Sequence, residues 1–188
     1  MDSLTKPRRL RFGWITALAL LTLASCGGPA GGGLNAPTAD GWHTFEGNWT
    51  ASGTRTTLDL GSNRTASNFQ LNGSLLLTEG TLAVGFRAEI IGFVDSQSGM
   101  VGRAVWTDEQ GDKVFSELKG QVGTGNHIAG TFFGGSGRYA GATGEYEFQW
   151  KYVLTPEDGT MSGRAVGLKG RLGAGAPSGS VPPAEGVR

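Results

Sequence analysis

Residues 145–153 read Glu-Tyr-Glu-Phe-Gln-Trp-Lys-Tyr-Val, with polar and aromatic side chains in unbroken alternation up to Tyr152. A helix advances about 100° per residue and would scatter Tyr146, Phe148, Trp150 and Tyr152 around its circumference. A strand turns all four to one face and sends Glu145, Glu147, Gln149 and Lys151 to the other. The same period recurs upstream. Phe69, Leu71, Gly73, Leu75 and Leu77 share one parity. Leu82, Val84, Phe86, Ala88 and Ile90 share another, with Arg87 and Glu89 opposite. After Ile90 the apolar parity slips to Ile91 and Phe93, which predicts a β-bulge at residues 90–92.

Further strands are predicted at residues 44–51, 54–60, 99–107, 113–122, 127–133 and 160–172, with 68–78, 81–90 and 145–153 holding the runs above. Turn sequences separate them, and the Asp158-Gly159 pair is the strongest. No stretch after residue 26 carries an amphipathic helical period. The chain holds 34 Gly residues, and several fall inside predicted strands: Gly73, Gly85, Gly92, Gly102, Gly120, Gly130, Gly163 and Gly167. Interior glycine weakens a flat strand and lets a sheet bend at barrel corners. Eight or nine short antiparallel strands fit a closed barrel or a sandwich. The glycines favour the barrel, so the expected fold is all-β, an antiparallel eight-stranded closed barrel spanning residues 42–172. The other reading of these glycines is that they mark edge strands and bulges.

The ends of the chain differ from this body. Lys6, Arg8, Arg9 and Arg11 precede 12 largely apolar residues, 12–23. That run is shorter than the roughly 20 residues needed to span a bilayer, and residues 1–25 read as an export signal. Leu23-Ala24-Ser25-Cys26 follows. It resembles the lipobox of bacterial lipoproteins. The resemblance implies diacylglyceryl attachment to Cys26, cleavage before it and an acylated new amino terminus. An ordinary secretory signal with a chance Cys is the alternative. Gly27, in place of an Asp, points in that family to the outer membrane where the cell has one. Residues 26–41, rich in Gly and Pro, read as a lipidated flexible tether, and residues 173–188 as a disordered tail. Cys26 is the only Cys, so no intramolecular disulfide and no Cys-cluster metal site is open to the chain. From Cys26 on there are 12 basic and 15 acidic residues. That balance argues against nucleic acid as a partner and against a polybasic membrane patch. The expected partners are the membrane, through the lipid, and a small apolar ligand.

The run Gly-Thr-Phe-Phe-Gly-Gly-Ser-Gly-Arg-Tyr-Ala-Gly-Ala-Thr-Gly at residues 130–144 is the most distinctive in the body. It resembles a glycine signature of bacterial members of the allene-oxide-cyclase and dirigent barrel group. The resemblance spans about residues 99–172 and implies an eight-stranded, calycin-like barrel with an apolar cavity. It assigns no catalytic residue. A weaker internal echo relates Met-Val-Gly-Arg-Ala-Val at 100–105 to Met-Ser-Gly-Arg-Ala-Val at 161–166. Shared ancestry of two hairpins, or equivalent barrel positions filled alike, would account for it.

The sequence contains no nucleophile elbow and no phosphate-binding loop. His43 and His127 lie far apart, so no metal site and no cofactor is predicted. Charged residues within strands, among them Arg87, Glu89, Arg103, Glu117, Glu145, Glu147 and Arg164, are expected on the outer face in cross-strand pairs. The sharper alternative turns Arg103 and Arg164 inward, with Glu117 as the carboxylate that a buried Arg requires. Trp106, Trp150, Tyr146 and Phe148 are candidate ligand contacts if the interior is hollow, and core filling if it is not. Three functions remain open: a barrel that binds a small apolar ligand, a structural or protein-interaction module of the envelope, and an isomerase- or cyclase-type enzyme.

Overall fold

A computed structural model of the protein describes residues 41–80, 82, 84–124, 126–154 and 158–173. Eight antiparallel strands form a closed barrel in sequence order. They are β1 (Trp42–Asp59), β2 (Thr65–Gly80), β3 (Gly85–Asp95), β4 (Gly99–Asp108), β5 (Lys113–Gly120), β6 (His127–Gly135), β7 (Thr143–Leu154) and β8 (Thr160–Gly173). Pairing of β1 with β8 closes the cylinder, so no strand edge is left free. The predicted lipobox, the rest of residues 26–40 and the predicted tail from residue 174 lie outside the described residues.

The two strands expected at 44–51 and 54–60 are one strand of 18 residues. Gly53 does not break it. It pairs with Leu71 on one side and Met161 on the other, and a Cβ there would collide with the Gln70 carbonyl. The glycine permits close approach of two backbones inside a continuous strand.

The bulge expected at residues 90–92 is absent. β3 pairs without a shift against both β2 and β4. Register shifts fall instead in β1 near Gly47, between Phe115 and Ser116 of β5, and along β7 near residues 147–149 and 152–154. Ile91 and Phe93 therefore stay on the outer face, both exposed. The inward parity passes through Gly92, and the ring of Phe69 on β2 occupies the space of its missing side chain. Tyr146 covers Gly130 and Trp150 covers Gly163 in the same way. Interior glycines here seat aromatic rings from neighbouring strands.

Most of the strand charge sits outside. Arg87 pairs with Glu89 at 2.8 Å, Arg171 with Glu145 at 2.9 Å, and Lys169 with Glu147 at 3.2 Å. The Lys169 ammonium holds the Glu147 carboxyl below its ordinary value. Inside are Phe45, Trp49, Leu71, Leu75, Phe86, Trp106 and their neighbours, all buried. A barrel spanning a membrane wears the reverse pattern, apolar outside and polar within.

Candidate functional site

The two ends of the cylinder are built differently. One end gathers the β2–β3, β4–β5 and β6–β7 connections, and it is stoppered. Residues 136–142 fold back over it with a 3₁₀ turn at Gly137–Tyr139. Tyr139, Ala142 and Leu82 are fully buried there. Gly137 has φ +56, and a Cβ on it would strike the Asp112 carboxylate, so only glycine brings the loop this close. The Ser136 amide donates to the Lys113 carbonyl at 2.8 Å, and the Lys113 amide donates to Ser136 Oγ at 3.1 Å. Arg138 locks the plug by donating to Asp108 Oδ2 through Nε at 2.9 Å and Nη2 at 2.6 Å. The Asp108 side chain is 0% exposed and that of Arg138 20%. Burial pushes the Asp108 carboxyl up. Hydrogen bonds from Arg138 and from the Gln110 and Asp112 amides outweigh it and hold the group below its ordinary value. Burial also raises the Tyr139 phenol well above its usual range, against the pull of the Arg138 charge.

Above the plug the barrel is filled with rings. Trp106 lies 5.1 Å from Phe132, 4.8 Å from Tyr146 and 5.9 Å from Phe45 between ring centroids. Tyr146 shares a 2.7 Å hydrogen bond with Ser116, and burial pushes its phenol far up. Phe148 stacks on Tyr146 at 6.3 Å, and there the filling stops.

The other end is open. A cavity of about 240 Å³ occupies it, its apolar wall including Trp49, Leu71, Ile90, Leu118, Phe148 and Trp150, with Met100 and Met161 beside them. Trp49 and Trp150 lean together at 5.1 Å between centroids and flank Ala165 of β8 in the register. Arg55, Asp95, Gln121, Asn126 and His127 ring the mouth. Asp95 is engaged by Arg64 at 2.6 Å. That contact and the Gln97 amide hold its carboxyl below the ordinary value. Arg55 follows Trp49, Ala51 and Gly53 on the inward parity of β1. The Nε of Arg55 and the indole N–H groups of Trp49 and Trp150 have no hydrogen-bond partner in the protein. For scale, a dry apolar cavity of about 150 Å³ accepts benzene. This one has room for about ten heavy atoms, and its mouth lets a longer chain protrude.

The predicted site residues divide accordingly. Phe148 and Trp150 wall the cavity, while Trp106 and Tyr146 belong to the filled section beneath it. Arg103 and Glu117 do pair, at 2.9 Å, but on the outer face with side chains 55% and 42% exposed. Arg164 is also exposed. The inward alternative for the two arginines is thereby corrected. Inward parity falls to Gly102, Ala104, Gly163 and Ala165, and the arginines between them face water. The echoed hexapeptides sit on β4 and β8, opposite strands of the eight, and Met100 and Met161 both line the cavity. Arg55 was missed. The signal was the parity of 49, 51, 53 and 55, hidden by ending one strand at residue 51 and starting the next at 54. Among the described residues no group of three or more His, Cys, Asp or Glu side chains gathers as for a metal ion. Comparison with family models, with curated proteins and with solved structures finds no match to this chain.

Proposed function

We propose that the protein is a lipid-anchored barrel of the cell envelope that holds a small apolar molecule in the cavity at its open end. The observation that carries this is the cavity itself, about 240 Å³ of space walled by side chains that would otherwise pack together. Concave, apolar sites with a few polar groups at one edge are the usual form of small-molecule sites. Leu58, Leu60, Val122, Val153 and Leu154 are exposed at the strand ends and turns around that mouth. This apolar fringe eases the passage of an apolar molecule between a membrane and the interior. The lipobox at Cys26 supports a stable bilayer anchor, since two or more acyl chains hold where one does not.

Titration with a neutral apolar fluorophore, N-phenyl-1-naphthylamine, tests the cavity. Wild-type protein is expected to bind one equivalent, and Met161→Trp, which drives an indole into the same space, to lose it. Equal binding by both, or none by the wild type, overturns the reading. Labelled palmitate incorporated by the wild type but not by Cys26→Ala is the expected result for the anchor.

A second reading, a protein-interaction module, is favoured by one feature. Phe93 and Val101 face each other across β3 and β4, with Ile91 beside them, all three exposed next to Asn68, Gln70 and Arg103. A Phe93→Glu/Val101→Lys variant that abolishes capture of an envelope protein, while leaving fluorophore binding intact, would favour it.

A further inference from the structure

We infer that the open end of the barrel docks on a lipid bilayer as a tilted ring, with the β7–β8 hairpin deepest and the β3–β4 turn left in water. The inference rests on the membrane-facing reading of the mouth and adds which residues meet the lipid and at what tilt. Four connections stand around the open end: β1–β2, β3–β4, β5–β6 and β7–β8. Three of them expose large apolar side chains. The first carries Leu58 and Leu60, and the β5–β6 connection carries Val122, each more than half exposed. The β7–β8 hairpin carries the most, with Tyr152, Val153 and Leu154 exposed in succession. The β3–β4 turn instead runs through Ser96, Gln97 and Ser98, all exposed. Because β8 pairs with β1 and β6 with β7, the three apolar hairpins are consecutive around the ring. The polar turn lies across the mouth from the most apolar one.

The shape of this surface selects its partner. The apolar tips form an arc around an opening, so a protein partner would have to match a curved rim. A bilayer is flat and fluid, and it meets all three hairpins at once. Val122 and Tyr152 also line the cavity, so apolar surface runs unbroken from the rim to the interior. Charge is placed to suit. Lys119 and Lys151 are exposed on the outer wall behind the tips. Lys151 precedes Leu154 by three residues, about 10 Å along a strand. Apolar faces enter an interface to a depth of about 5–10 Å, which leaves that ammonium among the phosphates. Tyr152 falls between, where an amphipathic ring is favoured. The carboxylates of this end are occupied in their own turns. Asp59 accepts from the Gly61 amide at 2.8 Å, Asp158 from the Thr160 amide at 2.9 Å, and Asp95 from Arg64. At the stoppered end, the turns at 108–113 and 136–142 expose no large apolar side chain among the described residues, and Glu109 stands exposed there.

Site-directed fluorescence tests the docking on the full chain carrying Cys26→Ala, in which no acyl group holds the protein and an introduced cysteine is the only thiol. Leu154→Cys, Leu60→Cys, Gln97→Cys and Glu109→Cys are labelled singly with nitrobenzoxadiazole. Each is mixed with vesicles of phosphatidylcholine and phosphatidylglycerol containing a doxyl-labelled lipid. The label at 154 is expected to shift to the blue and to be quenched most, that at 60 less, and those at 97 and 109 to behave as in water. Adding Leu58→Glu/Val153→Glu to the 154-labelled chain is expected to raise the lipid concentration at half-quenching about tenfold. Adding Ile91→Glu/Phe93→Glu, equally exposed but on the side wall, should leave it unchanged. Far-ultraviolet circular dichroism checks that each variant keeps its sheet, which substitutions at exposed sites seldom disturb. No quenching at 154, quenching at 97 or 109 equal to that at 154, or an unaltered lipid dependence in the rim variant overturns the docking. Fluorophore binding without vesicles keeps the two readings apart. A chain that binds N-phenyl-1-naphthylamine but shows no quenching retains the cavity and loses the docking. One that is quenched at 154 but binds no fluorophore retains the docking and loses the cavity.

Discussion

The stoppered end of the barrel and its open end each carry an Arg–Asp pair with the same 2.6 Å contact, Arg138–Asp108 and Arg64–Asp95, and the surroundings make the pairs different objects. Arg138 is largely enclosed by the loop it belongs to, and Asp108 is wholly covered. Arg64 is 42% exposed and is screened by water. The first pair holds a plug in place, and the second trims the rim of an opening. The interiors diverge in step. At the stoppered end, Tyr139 of the plug meets Phe86, and Phe86, Trp106 and Phe132 fill the cylinder ring against ring. Toward the mouth the stack of rings ends at Phe148, Trp49 and Trp150, and the positions beyond them are lined by Leu71, Ile90, Met100 and Met161 around the cavity. A closed barrel has two equivalent ends only in topology. Which one becomes a site is decided by side-chain volume.

Removing the stopper tests that asymmetry most severely. Tyr139→Ala deletes a fully buried ring, and the loss of its contacts with the cavity left behind is expected to destabilise the protein by about 4 kcal/mol. Tyr152→Ala at the mouth, where the ring is 43% exposed and keeps an edge contact with Trp150, is expected to cost about 1 kcal/mol. Urea unfolding at neutral pH measures both. Similar losses at the two ends would break the distinction.

The two ion pairs come next in size. Asp108→Asn takes from Arg138 its closest carboxylate and leaves Asp112 at 3.8 Å, and a cost of about 2 kcal/mol is expected, below that of a fully buried pair because Arg138 keeps this second partner and some water. Asp95→Asn is expected to cost less, since Arg64 is free to turn into solvent. Both carboxyls sit below their ordinary values in the folded state. Their stabilisation is therefore complete above the unfolded-state value of about 4 and is lost as pH falls through the folded-state values. Melting temperatures from pH 7 to pH 2 should show the wild type converging on Asp108→Asn below about pH 4. A gap that stays constant to pH 2 would remove Asp108 from the acid response.

The alternation in residues 145–153 made β7 legible at once, and the turn-rich, glycine-rich body made a closed barrel legible from the chain alone. Outward charge at Arg87, Glu89, Arg103, Glu117, Glu145, Glu147 and Arg164 was legible too, because each alternates with inward neighbours. The division into filled and hollow halves was not. It depends on how rings from different strands meet, and no single strand records that. Gly92 misled the reading of parity because a glycine carries no mark of the face it lies on, and Phe69 fills the gap from another strand. Gly53 concealed Arg55 for a related reason, since the strand was divided there although the glycine marks a close backbone approach inside it. The run at residues 130–144 was visible as a turn signature. Its work as a stopper needed Asp108 and Asp112, about 25 to 30 residues away in sequence.

The smallest expected effect falls on the outer wall. Arg103 and Arg164 lie midway between the ends on opposite strands, in identical Gly-Arg-Ala-Val contexts, and both face solvent. Arg103 makes an exposed pair with Glu117, and such pairs contribute about 0–1 kcal/mol because water competes for both partners. The double variant Arg103→Ala/Arg164→Ala is expected to unfold within about 0.5 kcal/mol of the wild type per site. Its affinity for the apolar fluorophore should be unchanged. Their inward neighbours give the control. Ala104→Leu and Ala165→Leu, one position along each strand, push bulk into a closed interior at sites 2% exposed, and overpacking of this kind costs about 1–3 kcal/mol. If the arginine variant lost fluorophore binding while Ala165→Leu kept it, the site would lie on the outside of the cylinder, and the contrast between a stoppered and an open end would have no bearing on function.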